Sequence, residues 1–262
     1  MPDSFRKRAY RALNWAASCP ELFSFSRFKH SGGVIEMYAA IPVLVFLALT
    51  SVSAGVLGRE VDHSVSTSVV KIRGVDLHQR LFYGSGVVVG EETVATNCHV
   101  VREAVRISVS RGFDLLPVEA EQVDLDKDLC LLKVSKLEMP VAKLVNQAKH
   151  HRVHFYGYPR ALGLSYTYGK ISGFPIINQH KIIETTAFFT LGGSGGGVFD
   201  NKGRLVGLAT FMRHGHAGGY YLIPSDWIVA VRQLPLSSVA PLKGHTFWEH
   251  ALTNPISQSH PK

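Results

Sequence analysis

Apolar residues along this chain come in short runs rich in Val and Ile, separated by glycine-containing or charged turns. Such a run at 86–89, inside Gly84-Ser85-Gly86-Val87-Val88-Val89-Gly90, predicts a buried strand. Glu91-Glu92 predicts the turn after it, and Thr93-Val94-Ala95-Thr96 the returning strand. Further strands are predicted at 151–156, 165–171, 181–187, 197–199, 204–211 and 219–223. A short helix follows at roughly 226–234, with Ser225 as its cap and Trp227, Ile228 and Val231 on the face that docks. With 24 glycines among 262 residues, the pattern is all-β. Residues 235–262 carry four prolines with scattered serine and histidine, which predicts a loose tail. No solenoid-type repeat interrupts the pattern.

One stretch breaks the rule of short runs. Met37 to Gly58 spans 22 residues without a charge, enough to cross a hydrocarbon core of ~30 Å as one transmembrane helix. It shows no helical periodicity of the kind a buried core helix would have. Before it lie Arg6, Lys7, Arg8, Arg11, Arg27 and Lys29 against Asp3, Glu21 and Glu36, which predicts a cytoplasmic basic tail over 1–36 and an exported remainder. A signal peptide cleaved after Ala54 is the rival, with Met37 as a start, although that start has no basic n-region. The net charge of +8 adds no nucleic-acid surface, because the basic residues are dispersed and no basic stripe interleaves with aromatics. Attraction of the N-terminal cluster to anionic lipid headgroups accounts for it more simply.

The candidate chemistry lies in three segments. Gly192-Gly193-Ser194-Gly195-Gly196-Gly197 packs five glycines around one hydroxyl, which lets the backbone turn sharply and lets a substrate carbonyl approach N–H groups. His99, in Thr96-Asn97-Cys98-His99-Val100-Val101, falls just past the end of a predicted strand, where a side chain can project from the sheet. Asp124, Asp126 and Asp128 precede Leu129-Cys130-Leu131-Leu132, and Asp128 directly abuts that apolar run. A carboxylate drawn inside needs a partner, and an imidazole N–H suits it, so Asp128 is the candidate acid with Asp126 as the fallback. Gly192-x-Ser194-x-Gly196 also fits the nucleophile elbow of α/β-hydrolases, whose acid and histidine follow the serine. Only 68 residues remain after Ser194, and strands do not alternate with helices before it, so the architecture opposes that reading.

Taken in order, His99, Asp128 and Ser194 resemble the trypsin-like (chymotrypsin-fold) serine peptidases, especially the bacterial HtrA/Deg-type branch. The resemblance covers roughly residues 64–235 and includes Gly203-Arg204-Leu205-Val206-Gly207-Leu208 and Tyr221-Leu222-Ile223-Pro224-Ser225-Asp226-Trp227. It implies two six-stranded antiparallel β-barrels, at about 64–140 and 145–235, a short C-terminal helix, and a flexible tail over 236–262 without a PDZ module. It also implies a serine endopeptidase in which Ser194 attacks, His99 moves the proton, Asp128 holds the imidazole, and the Gly192 and Ser194 N–H groups form the oxyanion hole. No metal or organic cofactor is required. The family's usual Asp or Asn before the nucleophile is Gly193 here. The primary pocket falls at Phe188, with Thr210, Phe211 and Met212 as its wall, which implies an apolar residue before the scissile bond rather than Lys or Arg.

Cys98 and Cys130 neighbour His99 and Asp128. They either bridge across the first barrel or serve as two small buried apolar residues. His150-His151-x-x-His154 and His214-x-His216 lack carboxylates or cysteines at a ligand spacing, so no metal is expected there. The expected partners are protein or peptide substrates, with the membrane reached through 37–58. The expected location is a bacterial inner membrane, single-pass, with the catalytic part exported, or secretion after cleavage. A catalytically silent peptidase fold that binds extended peptides is the second function class.

Overall fold

The structure, a computed structural model, describes residues 63–145, 151–213 and 219–249, all within the unit Arg59–Lys262. The basic tail and the apolar stretch 37–58 therefore lie outside the described residues, as does 250–262. Among the described residues no helix is long and apolar enough to cross a membrane.

The first half is a ring of antiparallel strands: β1 (Val69–Val75), β2 (Leu81–Gly90), β3 (Thr93–Thr96), β4 (Arg106–Arg111), β5 (Asp114–Pro117), β6 (Ala120–Asp124) and β7 (Leu129–Lys133). Their order is β5-β4-β1-β2-β3-β7-β6. β5 and β6 are two halves of one bent strand. At the bend, Val118 N–H donates to Ile107 O on β4 and Glu119 N–H donates to Lys133 O on β7, each at 2.9 Å. That crossing closes a six-membered ring from seven named strands.

The second half contains β8 (Lys143–Leu144), β9 (Arg152–Gly157), β10 (Ser165–Gly173), β13 (Ile183–Thr185), β14 (Gly197–Asp200), β15 (Arg204–Arg213) and β16 (Gly219–Pro224). The order β14-β9-β10-β13-β16-β15 closes through a β14–β15 pairing, again a ring of six. β8 runs parallel along β15, and β11 (Ile176–Ile177) pairs with β12 (His180–Lys181) as a separate hairpin.

Alternate side chains on a strand point to opposite faces, and both faces are apolar here. On β7, Cys130 and Leu132 enter the first barrel, while Leu129 and Leu131 join the seam with Tyr156, Phe199, Leu205 and Leu208 of the second. β2 splits in the same way, Val88 inward and Val87 and Val89 to the seam. Burial on both faces is why 86–89 and 129–132 read as unbroken apolar runs. Each fully buried aliphatic or aromatic side chain contributes roughly 1.5–3 kcal/mol.

A one-turn helix α1 (Cys98–Val101) follows β3, and α2 (Trp227–Val231) closes the fold with Ile228 and Val231 buried. Ser225 does not cap α2. Its hydroxyl donates to Leu205 O at 2.8 Å, tying the helix entry to β15, and Asp226 occupies the N-cap position without a side-chain cap. The expectation of a loose tail also needs correction over 236–249. Ser237 pairs with Glu121 in both directions, Val239 and Leu242 pack on the first barrel's core, and Phe247 is buried in the seam. Three apolar anchors outweigh the low local propensity of this proline-containing stretch.

Candidate active site

The position of His99 begins with β3. Thr96, its last residue, donates its hydroxyl to Ser85 O at 2.8 Å, and the chain turns into α1 through Asn97 in an extended conformation. Asn97 Nδ2 and Cys98 N–H both donate to Asp128 O, at 3.1 and 3.3 Å. Cys98 and Cys130 are joined by a disulfide. Side-chain, backbone and covalent links thus fasten the start of α1 to the turn before β7 and to β7 itself, which sets His99 against Asp128.

Asp128 has a positive φ of 56°, a left-handed conformation that Asp tolerates better than most residues. The preceding turn is held by Lys127, whose N–H and ammonium both bind Asp124, and by Asp128 N–H on Leu125 O. Asp126 points to the surface and pairs with His180 at 2.9 Å. Of the two candidate aspartates, the buried one that meets His99 is Asp128.

The Asp128 carboxylate is fully buried and accepts four hydrogen bonds. His99 N–H donates to Oδ1 at 2.9 Å, and His99 Nδ1 to Oδ2 at 2.7 Å. Thr210 Oγ1 and Trp248 Nε1 also donate to Oδ2, at 2.8 and 2.9 Å. Four donors offset a desolvation that would be prohibitive for an unpartnered charge. With Nδ1–H committed to the carboxylate, Nε2 is left as the imidazole's proton acceptor.

Ser194 sits in a tight turn that only glycine permits at two points. Gly192 has φ +86°, and a Cβ there would lie 2.6 Å from Arg160 N. Gly195 has φ +81°, and a Cβ there would lie 2.1 Å from Ser85 O. Backbone bonds brace the turn: Gly193 N–H to Thr190 O, Gly196 N–H to Gly193 O, Gly195 N–H to Ala209 O, and Ser85 N–H to Ser194 O, all within 2.8–2.9 Å. Gly193, the departure noted in the sequence, leaves little room for the usual acid, since a Cβ there would lie 2.8 Å from Thr190 O.

Leu191 O accepts from Arg160 N–H at 2.9 Å. A trans peptide aims its N–H opposite its carbonyl, so the Gly192 N–H points away from that loop. Among the described residues neither the Gly192 nor the Ser194 N–H has a protein acceptor. Two free donors flanking the hydroxyl suit an oxyanion.

Ser194, Gly192 and His99 line one open cleft of about 560 Å³. It is also lined by Asp76 and Arg80 of the β1–β2 loop and by Leu81, Phe82 and Tyr83 at the start of β2. Asp76 organises that loop. Burial pushes its carboxyl up, but the N–H and guanidinium of Arg80 and the His78 N–H outweigh this and hold it below its ordinary value. The Ser194 hydroxyl donates to Thr210 O at 3.0 Å, and among the described residues no hydrogen bond joins it to His99.

The predicted pocket residues divide. Phe188 is 49% exposed and packs edge-on against Tyr220. Thr210 is not a wall, because its side chain is spent on Asp128. Phe211 is buried, stacked between Tyr221 and Trp248. None of the three lines the cleft that holds Ser194. Of the histidines weighed as ligands, His154 binds Tyr166 OH and Asn201 Oδ1, while His150, His214 and His216 lie outside the described residues.

Sequence reasoning missed Thr210 and Trp248 as partners of Asp128. Neither abuts the motifs in sequence; Trp248 lay in the stretch read as tail.

Residues 84–208 match the family model of the trypsin-like peptidase domain. The probable periplasmic serine endoprotease DegP-like of Pseudomonas putida (strain GB-1) is 33% identical over 161 residues, 56% of this chain and 34% of that protein. The anti-sigma-I factor RsgI9 of Acetivibrio thermocellus is 28% identical over 166 residues, 59% of this chain and 23% of that protein. The chain thus spans about a quarter to a third of the length of these relatives. Among solved structures, the active form of the Rv3671c protease from M. tuberculosis superposes with a TM-score of 0.61 at 21% identity, covering 86% of this chain and 99% of that one. That likeness shows the two-barrel fold.

Proposed function

On the premise of a trypsin-like peptidase domain over residues 84–208, we propose that this chain is a serine endopeptidase working through His99, Asp128 and Ser194. The observation that carries the reading is the buried Asp128 carboxylate bonded to His99 Nδ1 at 2.7 Å, with Ser194 in the same cleft as that imidazole. Ser194 Oγ leaves Thr210 O and attacks the scissile carbonyl as His99 Nε2 takes its proton. The carbonyl oxygen becomes an oxyanion between the Gly192 and Ser194 N–H groups, each donor worth about 2.7–4 kcal/mol in the transition state. His99 then protonates the leaving amine, and a water repeats the sequence on the acyl-enzyme. Asp128 keeps the Nδ1–H tautomer throughout and stabilises the imidazolium.

The uncharged stretch 37–58 supports tethering to a bacterial inner membrane, with the basic N-terminus cytoplasmic and the barrels outside. Protein or peptide segments reaching that side are the substrate class. The Ser194–Thr210 hydrogen bond favours a second reading, a catalytically silent fold that holds extended peptides in the cleft. Treatment of the full chain with a fluorophosphonate and with unfolded casein separates the two. Labelling and cleavage that vanish in Ser194→Ala support the peptidase; neither, with the variant indistinguishable from the parent, supports the silent binder.

A further inference from the structure

Trp248 comes from the far end of the described chain to meet Asp128. The indole N–H donates to Oδ2, the oxygen that also takes His99 Nδ1–H. The ring stands edge-on to the imidazole, with centroids 5.3 Å apart, and stacks on Phe211 at 5.1 Å and 18°. Its neighbours lock it in place. Phe247 N–H donates to Asp126 O at 2.9 Å, and Phe247 itself is buried in the seam. Glu249 forms a two-pronged pair with Arg102, at 2.7 and 2.9 Å, and Arg102 is the residue that ends the helix carrying His99. The Arg102 side chain, helped by Thr246 N–H against partial burial, holds the Glu249 carboxyl down to about 2. The clamp is therefore charged wherever the protein is folded in ordinary buffers.

We propose that Trp248 is a positioning residue for the Asp128–His99 pair, delivered by the segment 246–249 and clamped to the His99 helix by Arg102–Glu249. This rests on the peptidase reading above. Two consequences follow from the geometry. With Thr210 on the same oxygen and the His99 N–H on Oδ1, the indole helps fix which carboxylate oxygen faces the imidazole. It also withdraws charge from Oδ2, because a donor shared by that oxygen weakens its hold on an imidazolium. Removing the indole N–H while keeping an aromatic ring concentrates the carboxylate charge on His99, so the histidine holds its proton to higher pH.

The test is the pH dependence of fluorophosphonate labelling in the full chain, compared among the parent, Trp248→Phe and Glu249→Asp. Phenylalanine keeps an aromatic ring against Phe211 and loses the donor together with part of the ring's area. The proposal expects the acid limb of the labelling rate to move up by about 0.7 pH unit in Trp248→Phe, roughly a fivefold change in the histidine's proton affinity. The plateau rate should fall several-fold. Glu249→Asp, which keeps the charge against Arg102 but shortens the clamp, should shift the limb in the same direction by less. If Trp248→Phe is poorly folded by circular dichroism, the Glu249→Asp profile decides. A parent that labels, with variants changed in melting temperature but identical in the position of the acid limb, assigns Trp248 a packing role and overturns the proposal alone. A parent that neither labels nor cleaves overturns the peptidase reading and this proposal with it.

Discussion

Replacing Glu121 with glutamine should remove a pH dependence from the stability of this protein. Glu121 lies on β6 with 1% of its surface exposed, and its backbone pairs with Ser237 in the segment that leads to Trp248. Burial raises its carboxyl from an ordinary 4.5 to about 7, only partly countered by the Ala240 N–H, and Oε2 has no partner among the described residues. The folded protein therefore holds a proton that the unfolded chain has lost between pH 4.5 and 7. The stabilisation is fully present below 4.5 and is lost as pH rises through 7. At about 1.4 kcal/mol per pH unit, the loss accumulates to roughly 3 kcal/mol by pH 8. Glutamine has nearly the same shape and carries no charge at any of these values. Urea unfolding of the full chain in neutral detergent, at half-unit steps from pH 4.5 to 8, compares the two proteins, and their difference cancels every other titrating group. The variant should be close to the parent at pH 4.5 and more stable by roughly 2–3 kcal/mol at pH 8. A difference that stays flat across the range would refute the reasoning.

Other perturbations test the site. Gly192→Ala, at φ +86° and with a Cβ 2.6 Å from Arg160 N, should distort the oxyanion turn and cut the labelling rate by about 100-fold, read by phosphonate kinetics at pH 8. Thr210→Val removes one donor to Asp128 and should lower kcat/KM on a fluorogenic peptide about tenfold, roughly 1.4 kcal/mol, with little change in KM. Alkylation of the unreduced, unfolded chain should modify Cys19 and spare Cys98 and Cys130. Breaking their bridge in a Cys98→Ser, Cys130→Ser double variant, which opens a loop of 32 residues, should cost about 3–4 kcal/mol in urea unfolding.

The two rings were legible in the sequence because their strands bury both faces, so runs such as 86–89 and 129–132 stand out without any periodicity. His99, Asp128 and Ser194 were legible because each sits at an element boundary marked by local chemistry: a strand end, a three-aspartate turn, a glycine-packed loop. What the local pattern could not carry were contacts made across long separations. Thr210 and Trp248 reach Asp128 from 82 and 120 residues away. The segment 236–249 reads as tail because Ser237, Ser238, Pro241 and Gly244 break up its apolar positions, so that no strand or helix period forms. Its order comes from Val239, Leu242 and Phe247 finding surfaces on two different barrels. Ser225 looked like a cap for the same reason, since its true acceptor, Leu205 O, belongs to a strand that precedes it by 20 residues.

The central claim is that Ser194 is a nucleophile driven by a His99–Asp128 pair. It is met most directly by mass-spectrometric mapping of fluorophosphonate adducts on the full chain, beside His99→Ala and Asp128→Asn. The account predicts a single adduct on Ser194 in the parent, with the rate lowered at least a thousandfold by either variant, as expected when a base or its orienting carboxylate is lost. An adduct elsewhere, or labelling of Ser194 that is indifferent to both substitutions, would contradict it.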